Sequence, residues 1–338
     1  MQMWKPWKET EGEELSLKFV LSHPLDETGM NLLRENDVEI YIGYSADPYS
    51  YFDQLKTADA FIIRLAKCGA EVLDSCPKLK VIGRTGVGFD TINAVRAKQL
   101  GIPIVLTPGA NKRSVAEHVL ALMFALSKNI CQADRELRAG NWQIRDAGKS
   151  IELEGRKIGI IGMGAIGREV ARLCQGIGME TAGLDPFCPE NIEAAGCQRY
   201  DDLDALLQDC DVVTIHVPLT PETREMISVR ELALMKPNAL LINTSRAPIV
   251  NTRALVDAVN NKKIAGAGVD VYDEEPAQLS NPIFTGTNII CTPHAAALTA
   301  ESNARMAYQC AQGCLAVCRG EKWPYVADQT VYNHPRFI

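Results

Sequence analysis

Three side chains far apart in the chain, Arg246, Glu275 and His294, are of the types that together move a proton at the oxygen of a bound acid. A guanidinium forks onto a carboxylate. An imidazole titrates near neutrality and so gives or takes a proton. A carboxylate beside that imidazole fixes its tautomer and favours its charged form. Singly, each has a plainer reading: Arg246 as a surface ion pair, Glu275 before Pro276 as a solvated loop residue, His294 after Pro293 as a helix cap. What joins them is placement, since each follows a short apolar run of strand type, at 240–243, 266–271 and 289–291. Hydride exchange with a 2-hydroxy or 2-oxo acid needs these three groups: a cation for the carboxylate, a proton carrier at the oxygen, and a partner that tunes the carrier.

The sharpest local signal is Gly162-Met163-Gly164-Ala165-Ile166-Gly167. A GxGxxG alone is weak, but here the apolar run 157–161 leads into it and 168–175 continues as a helix. Gly162 then permits the tight turn, Gly164 lets the backbone approach a pyrophosphate, and Gly167 lets the helix pack close to the sheet. The pyrophosphate would face free N–H groups and the positive end of the helix dipole. Asp185, eighteen residues beyond Gly167, ends the next strand. A carboxylate there accepts from ribose hydroxyls and repels a 2′-phosphate, favouring NAD over NADP; its plainer reading is a turn cap before Pro186.

The elements that position these groups alternate strand and helix. Strands are expected at 17–21, 38–42, 60–63, 80–83 and 104–106, with helices between them such as 91–100. A long helix over 114–130 follows, capped by Asn111 or Ser114, with Glu117 completing a capping box. Six more strands are expected at 157–161, 180–184, 212–217, 240–243, 266–271 and 289–291. Continuous apolar strands alternating with helices mean parallel sheets covered on both faces. The fold class is therefore α/β, with two doubly wound parallel-sheet domains, the second a Rossmann dinucleotide-binding domain. The last helix, about 299–319, comes after the second sheet is complete and returns to the first domain. The boundaries are 1–113 plus 298–338 for the discontinuous first domain and 114–297 for the second. The first fourteen residues and the tail from Asp328 are expected to be surface arms.

Composition narrows the function classes. The 338 residues are 46% apolar and 23% charged, ordinary globular usage that excludes a disordered or collagen-like chain. A formal charge of −7 argues against nucleic-acid binding through a broad basic surface. The longest apolar stretch, 119–126, is too short for a membrane helix. The N-terminus, with Trp4, Lys5, Pro6 and Lys8, lacks the apolar region of a secretory signal, so a cytoplasmic location is expected. The eleven cysteines include no Cys-x-x-Cys. Cys310, Cys314 and Cys318 share one face of a helix as a packed stripe rather than a metal site.

The motifs in order resemble the D-isomer-specific 2-hydroxyacid dehydrogenase family over most of the chain, roughly 17–319. They are Arg84-Thr85-Gly86-Val87-Gly88-Phe89-Asp90, Ser114-Val115-Ala116-Glu117-His118, the glycine turn, Asp185-Pro186 and His216-Val217-Pro218-Leu219-Thr220. Thr244-Ser245-Arg246, Val269-Asp270-Val271, Glu275-Pro276 and Pro293-His294 complete the series. The resemblance implies that Arg246 binds and polarises the substrate, that His294 is the acid/base, and that Glu275 holds the imidazole and favours its protonated form. It implies that backbone groups near Val87 and Gly88 hold the substrate carboxylate, and that Ala165 and Ile166 lie against the pyrophosphate. Val217 and Thr244 would run along the cofactor, and Asp270 would bond the nicotinamide carboxamide. The first domain would bind substrate, a cleft would close on it, and a homodimer would form through the cofactor domains. Formate dehydrogenases carry glutamine where Glu275 stands, so Glu275 points to a hydroxy acid.

Within the family, Arg64, Arg84 and Pro108-Gly109-Ala110-Asn111 are most like phosphoglycerate dehydrogenases, and 3-phosphoglycerate is one expected substrate. Leu65-Ala66-Lys67-Cys68 after Arg64 and Ala295-Ala296-Ala297 after His294 depart from that pattern, which keeps other small 2-hydroxy acids open. The competing class is an NAD(H)-sensing binding protein, corepressor-like, with the same fold and no turnover.

Overall fold

The computed structural model describes residues 16–147 and 150–337. The chain divides into two compact units. One takes the described residues up to Asn111 together with those from Thr299 onward, and the other is Lys112–Leu298.

The first unit carries β1 (Lys18–Leu21), β2 (Glu39–Ile42), β3 (Ala60–Ile63), β4 (Val81–Arg84) and β5 (Ile104–Val105). All pair in parallel in the order β2-β1-β3-β4-β5, so the direction of winding reverses between β1 and β3. Alternate residues feed opposite faces: Phe61, Ile63 and Ile82 enter one core, and Ala60, Ile62 and Val81 the other. The helices Glu27–Arg34 and Ala300–Cys318 cover the second face, and Thr299 caps the latter by accepting the N–H of Ser302. Cys310 and Cys314 on that helix are fully buried, as a packed stripe should be. They fill the space over Gly83, where a Cβ would stand 2.6 Å from both sulfurs.

The tail differs from a surface arm. From Asp328 it forms two short 3-10 turns that bury Val331, Tyr332 and Arg336. Tyr332 accepts the N–H of Trp323 at 2.9 Å, and Arg336 donates to the Leu100 carbonyl at 3.1 Å. Apolar surface on Val331 and Tyr332 draws the segment inward. The first fourteen residues lie outside the described part of the chain.

The second unit carries β6 (Lys157–Ile161), β7 (Glu180–Leu184), β8 (Gln198–Arg199), β9 (Val212–Ile215), β10 (Leu240–Asn243), β11 (Gly266–Val269) and β12 (Ile289–Cys291). The order β12-β11-β10-β9-β6-β7-β8 is that of a doubly wound dinucleotide fold, with the winding reversing between β6 and β9. Seven strands replace the six expected, because β8 is two exposed residues with no apolar content.

The long helix also shifts. It runs Lys112–Ser127, and a separate helix Ile130–Arg138 follows Asn129, whose left-handed backbone (φ 53°) interrupts the pattern. With the helix starting at Lys112, Ser114 lies inside it and no capping box forms. The Ser114 hydroxyl donates to the Ala296 carbonyl at 2.6 Å, and Glu117 pairs with Arg113 at 2.5 Å.

Candidate active site

Parallel register aligns the ends of the strands in the second unit. Ile161 sits beside Leu184 and Ile215, Ile215 beside Asn243, Asn243 beside Val269, and Val269 beside Cys291. The residues immediately beyond that row are Gly162, Asp185, His216, Thr244, Asp270 and Thr292. The sheet thus delivers six polar or glycine positions to its carboxyl edge, where open α/β sheets hold ligands.

The glycine turn has the geometry that its sequence requires. Gly162 is left-handed (φ 95°), and a Cβ there would stand 2.7 Å from the His216 carbonyl. Around Gly164 a Cβ would meet nothing within 4 Å, so that side is open, and Gly164 begins the helix Ala165–Gly176. Ala165 is exposed and Ile166 half-buried, while Gly167 is buried against the Gly162 carbonyl. Thr244 adds a second feature: its Oγ1 is buried and has no partner among the described residues. A buried hydroxyl without a hydrogen bond is costly. An orphan acceptor and donor beside an open glycine cradle fits a dinucleotide running along this edge. Val217, half-buried nearby, accepts the Ser245 hydroxyl.

Asp185 caps the turn that follows it and braces the glycine turn. Its Oδ1 accepts the N–H groups of Phe187 (3.0 Å) and Cys188 (3.1 Å), and its Oδ2 accepts that of Met163 (2.8 Å). With four lone-pair sites on a carboxylate, one on Oδ2 is left for a ribose hydroxyl.

Arg246, Glu275 and His294 all lie in this unit. His294 Nδ1 lies 2.7 Å from Glu275 Oε2, and both side chains are about three-quarters buried, 29% and 24% exposed. Glu275 Oε1 accepts the Tyr272 N–H at 3.1 Å. Burial opposes the charge on Glu275, but the His294 hydrogen bond and charge, the Tyr272 N–H and the charge of Arg246 outweigh it. They hold the carboxyl below its usual range. Arg246 leaves β10 on a turn that Asn243 fixes, by accepting the Ser245 N–H and donating to the Arg246 carbonyl, both at 3.0 Å. With Nδ1 engaged by Glu275, Nε2 of His294 is the atom that can face a substrate oxygen.

Asp270 is fully buried and accepts from Thr292 Oγ1 (2.6 Å), Ala295 N (2.9 Å) and Ala296 N (2.8 Å). It ties down the loop that carries His294. Two groups went unassigned in the sequence. Tyr272 donates its hydroxyl to the Thr292 carbonyl at 2.8 Å, and His118 reaches Thr292 Oγ1 at 2.9 Å. The one sequence signal for either is the histidine ending Ser114–His118, four residues and so one helical face from Ser114.

In the first unit the expected substrate residues also gather at the carboxyl edge. Arg84 donates Nε to the Gly88 carbonyl at 2.8 Å and Nη1 to the Thr85 carbonyl, so its guanidinium shapes the loop bearing Val87 and Gly88. Val87 is exposed there and Gly88 half-buried. Arg64, at the end of β3, is exposed, and its guanidinium makes no hydrogen bond or ion pair among the described residues. His23 follows β1, so Arg64 and His23 flank the β1/β3 reversal. Burial first, and then the charge of Arg64, lower the His23 pKa. Among the described residues no group of three or more His, Cys, Asp or Glu is placed to hold a metal ion, and no helix is long and apolar enough to cross a membrane.

Comparison with known proteins places these features. Residues 120–296 match the family model described as D-isomer specific 2-hydroxyacid dehydrogenase, NAD binding domain. The chain is 38% identical over 308 residues to a D-3-phosphoglycerate dehydrogenase of Methanocaldococcus jannaschii, covering 90% of this chain and 58% of that protein. It thus spans little more than half the length of that relative. A glyoxylate reductase of Korarchaeum cryptofilum is 36% identical, with 82% of this chain and 85% of that protein covered. The NAD-dependent formate dehydrogenase of Staphylococcus aureus, solved in complex with NAD, superposes with a TM-score of 0.80 at 27% identity, covering 89% of this chain and 95% of that one.

Proposed function

Since the chain belongs to the D-isomer specific 2-hydroxyacid dehydrogenase family, we propose that it exchanges a hydride between NAD(H) and C2 of a small D-2-hydroxy or 2-oxo acid. The observation that carries this is the 2.7 Å pair of His294 with Glu275, set on the same sheet edge as the open glycine cradle. The bound nicotinamide supplies or accepts the hydride. In reduction, protonated His294 donates from Nε2 to the carbonyl oxygen as it becomes an alcohol, and in oxidation the neutral ring takes that proton back. Glu275, ionised across the working range, stabilises the charged ring. Arg246 polarises the oxygen and pairs with the acid. Glycines 162, 164 and 167 with Ala165 and Ile166 hold the pyrophosphate, Asp185 the ribose, Val217 and Thr244 the dinucleotide's length, and Asp270 the carboxamide.

For the substrate, the contrast between the two arginines of the first unit is informative. Arg84 is committed to its own loop, whereas Arg64 presents its charge at a topological switch point, the place where such sheets receive ligands. Acids bearing a second anionic group, 3-phosphoglycerate among them, fit that cation, and Val87 and Gly88 supply backbone groups for the first carboxylate. Self-association through the second unit fits its exposed Ile130, Leu137 and Trp142, an apolar cluster of the kind that partners cover.

The test is NADH oxidation against glyoxylate, hydroxypyruvate, 3-phosphohydroxypyruvate and pyruvate. Turnover with at least one is expected. Tight NADH binding without turnover of any 2-oxo acid would overturn the enzyme reading in favour of a sensor.

A further inference from the structure

We infer that His118 is a positioning residue for His294, acting through a directed hydrogen-bond relay, His118 Nε2–H to Thr292 Oγ1–H to Asp270 Oδ1. The inference rests on the reading of His294 as the acid/base.

The direction of the relay follows from counting protons. Asp270 is surrounded by donors, the N–H groups of Ala295 and Ala296 and the Thr292 hydroxyl, so it acts as acceptor. The 2.6 Å Thr292–Asp270 bond takes the single hydroxyl proton; the alternative acceptor, the Val269 carbonyl, is at 3.4 Å. Thr292 Oγ1 then has only lone pairs to offer the imidazole nitrogen 2.9 Å away, so His118 Nε2 must carry a proton. His118 Nε2 is also 3.7 Å from Asp270 Oδ1, so all three members of the relay meet at one buried point.

What the relay holds is an unfavourable backbone. His294 has φ 52°, in the left-handed region that is unfavourable for a non-glycine residue. Its flanking residues are gripped from outside the loop: Thr292 by His118 and Asp270 on its side chain and by Tyr272 on its carbonyl, Ala295 and Ala296 by Asp270, and the Ala296 carbonyl by Ser114. His118 and Ser114 lie one turn apart on the helix Lys112–Ser127. That helix therefore fixes the loop at two points, either side of the catalytic ring.

The test uses the full chain. In a ¹⁵N-histidine spectrum near neutral pH, His118 should show a protonated Nε2, and Thr292→Val should change that signal. A ring protonated on Nδ1 alone would overturn the relay. In kinetics with NADH and the best acid of the panel above, His118→Phe keeps the ring's shape and loses the donor. It should lower kcat about tenfold or more, with NADH affinity kept within about twofold, as a small misplacement of a catalytic group does. His118→Gln, which restores an N–H at similar reach, should recover most of that loss. Wild-type kcat in His118→Phe, alongside an inactive His294→Ala, would sink the relay alone. Wild-type kcat in His294→Ala would sink the acid/base reading instead. If no acid is turned over, the histidine spectrum still decides the relay.

Discussion

The Asp185 carboxylate, at the end of β7, accepts the backbone N–H of Met163 inside the glycine turn after β6, at 2.8 Å. The residue proposed to bind the ribose therefore also braces the turn proposed to bind the pyrophosphate. Asp185→Ala is expected to narrow the preference for NAD over NADP and to weaken binding of both. Comparing kcat/KM for the two cofactors checks it; an unmoved ratio would remove Asp185 from the ribose.

Glu275 stays ionised below the ordinary carboxylate range because it is bonded to His294 and Tyr272 and lies near Arg246. Removing that charge takes away support for the protonated imidazole. In Glu275→Gln, the alkaline limb of the pH profile for reduction should move to lower pH, and kcat should fall about 10²–10⁴-fold if the proton is no longer delivered. A profile that keeps its position would show that the pair does not tune catalysis.

Arg64 and Arg84 should separate in mutagenesis. Arg64→Ala is expected to raise KM about tenfold or more for acids with a second anionic group, consistent with losing one charge-assisted contact. Glyoxylate, which has none, should be little affected. Arg84→Ala should impair every acid alike, since it loosens the loop of Val87 and Gly88. Equal losses across the panel for Arg64→Ala would deny it a role in selectivity.

His216 follows β9 and bonds Thr214 at 2.9 Å, and burial pushes its pKa down to about 4. The unfolded chain therefore binds a proton near pH 6.5 that the folded chain refuses until about pH 4. Its contribution to stability is complete above pH 6.5 and is lost as pH falls toward 4, by roughly 3 kcal/mol at most. Urea unfolding at several pH values should show this slope, and His216→Gln should flatten it.

Gly83→Ala should destabilise the first unit by about 1–3 kcal/mol, as overpacking does. The new Cβ would strike the sulfurs of Cys310 and Cys314. In a Cys310→Ala, Cys314→Ala background the same change should cost clearly less. Equal costs in both backgrounds would place the strain elsewhere.

Strands long and apolar enough to enter a core were legible in the sequence, as β3 and β6 illustrate, as was the last helix from about residue 299. So were the glycine turn and the positions of Arg246, Glu275 and His294 beyond strand ends, because each followed a recognisable strand. β8 escaped because two polar residues carry no periodicity. Of the two cap positions the sequence offered, Asn111 directly precedes the helix start at Lys112, whereas Ser114 and Glu117 lie inside the helix, where Ala296 and the neighbouring Arg113 claim their side chains. The grip of Asp270 on Thr292, Ala295 and Ala296 joins residues more than twenty positions apart, a closeness that only the sheet register creates.

The helix Ala300–Cys318 shares with the helix Glu27–Arg34 one face of a sheet whose strands all lie before residue 106. On the ribosome, β1–β5 must wait with that face incompletely covered until residues 300–318 have been made. The unit Lys112–Leu298, contiguous in sequence, has no such delay. The order of synthesis thus leaves the half with the strand-end arginines Arg64 and Arg84 as the last to be completed, and the stretch before that as the interval in which a chaperone would be most needed.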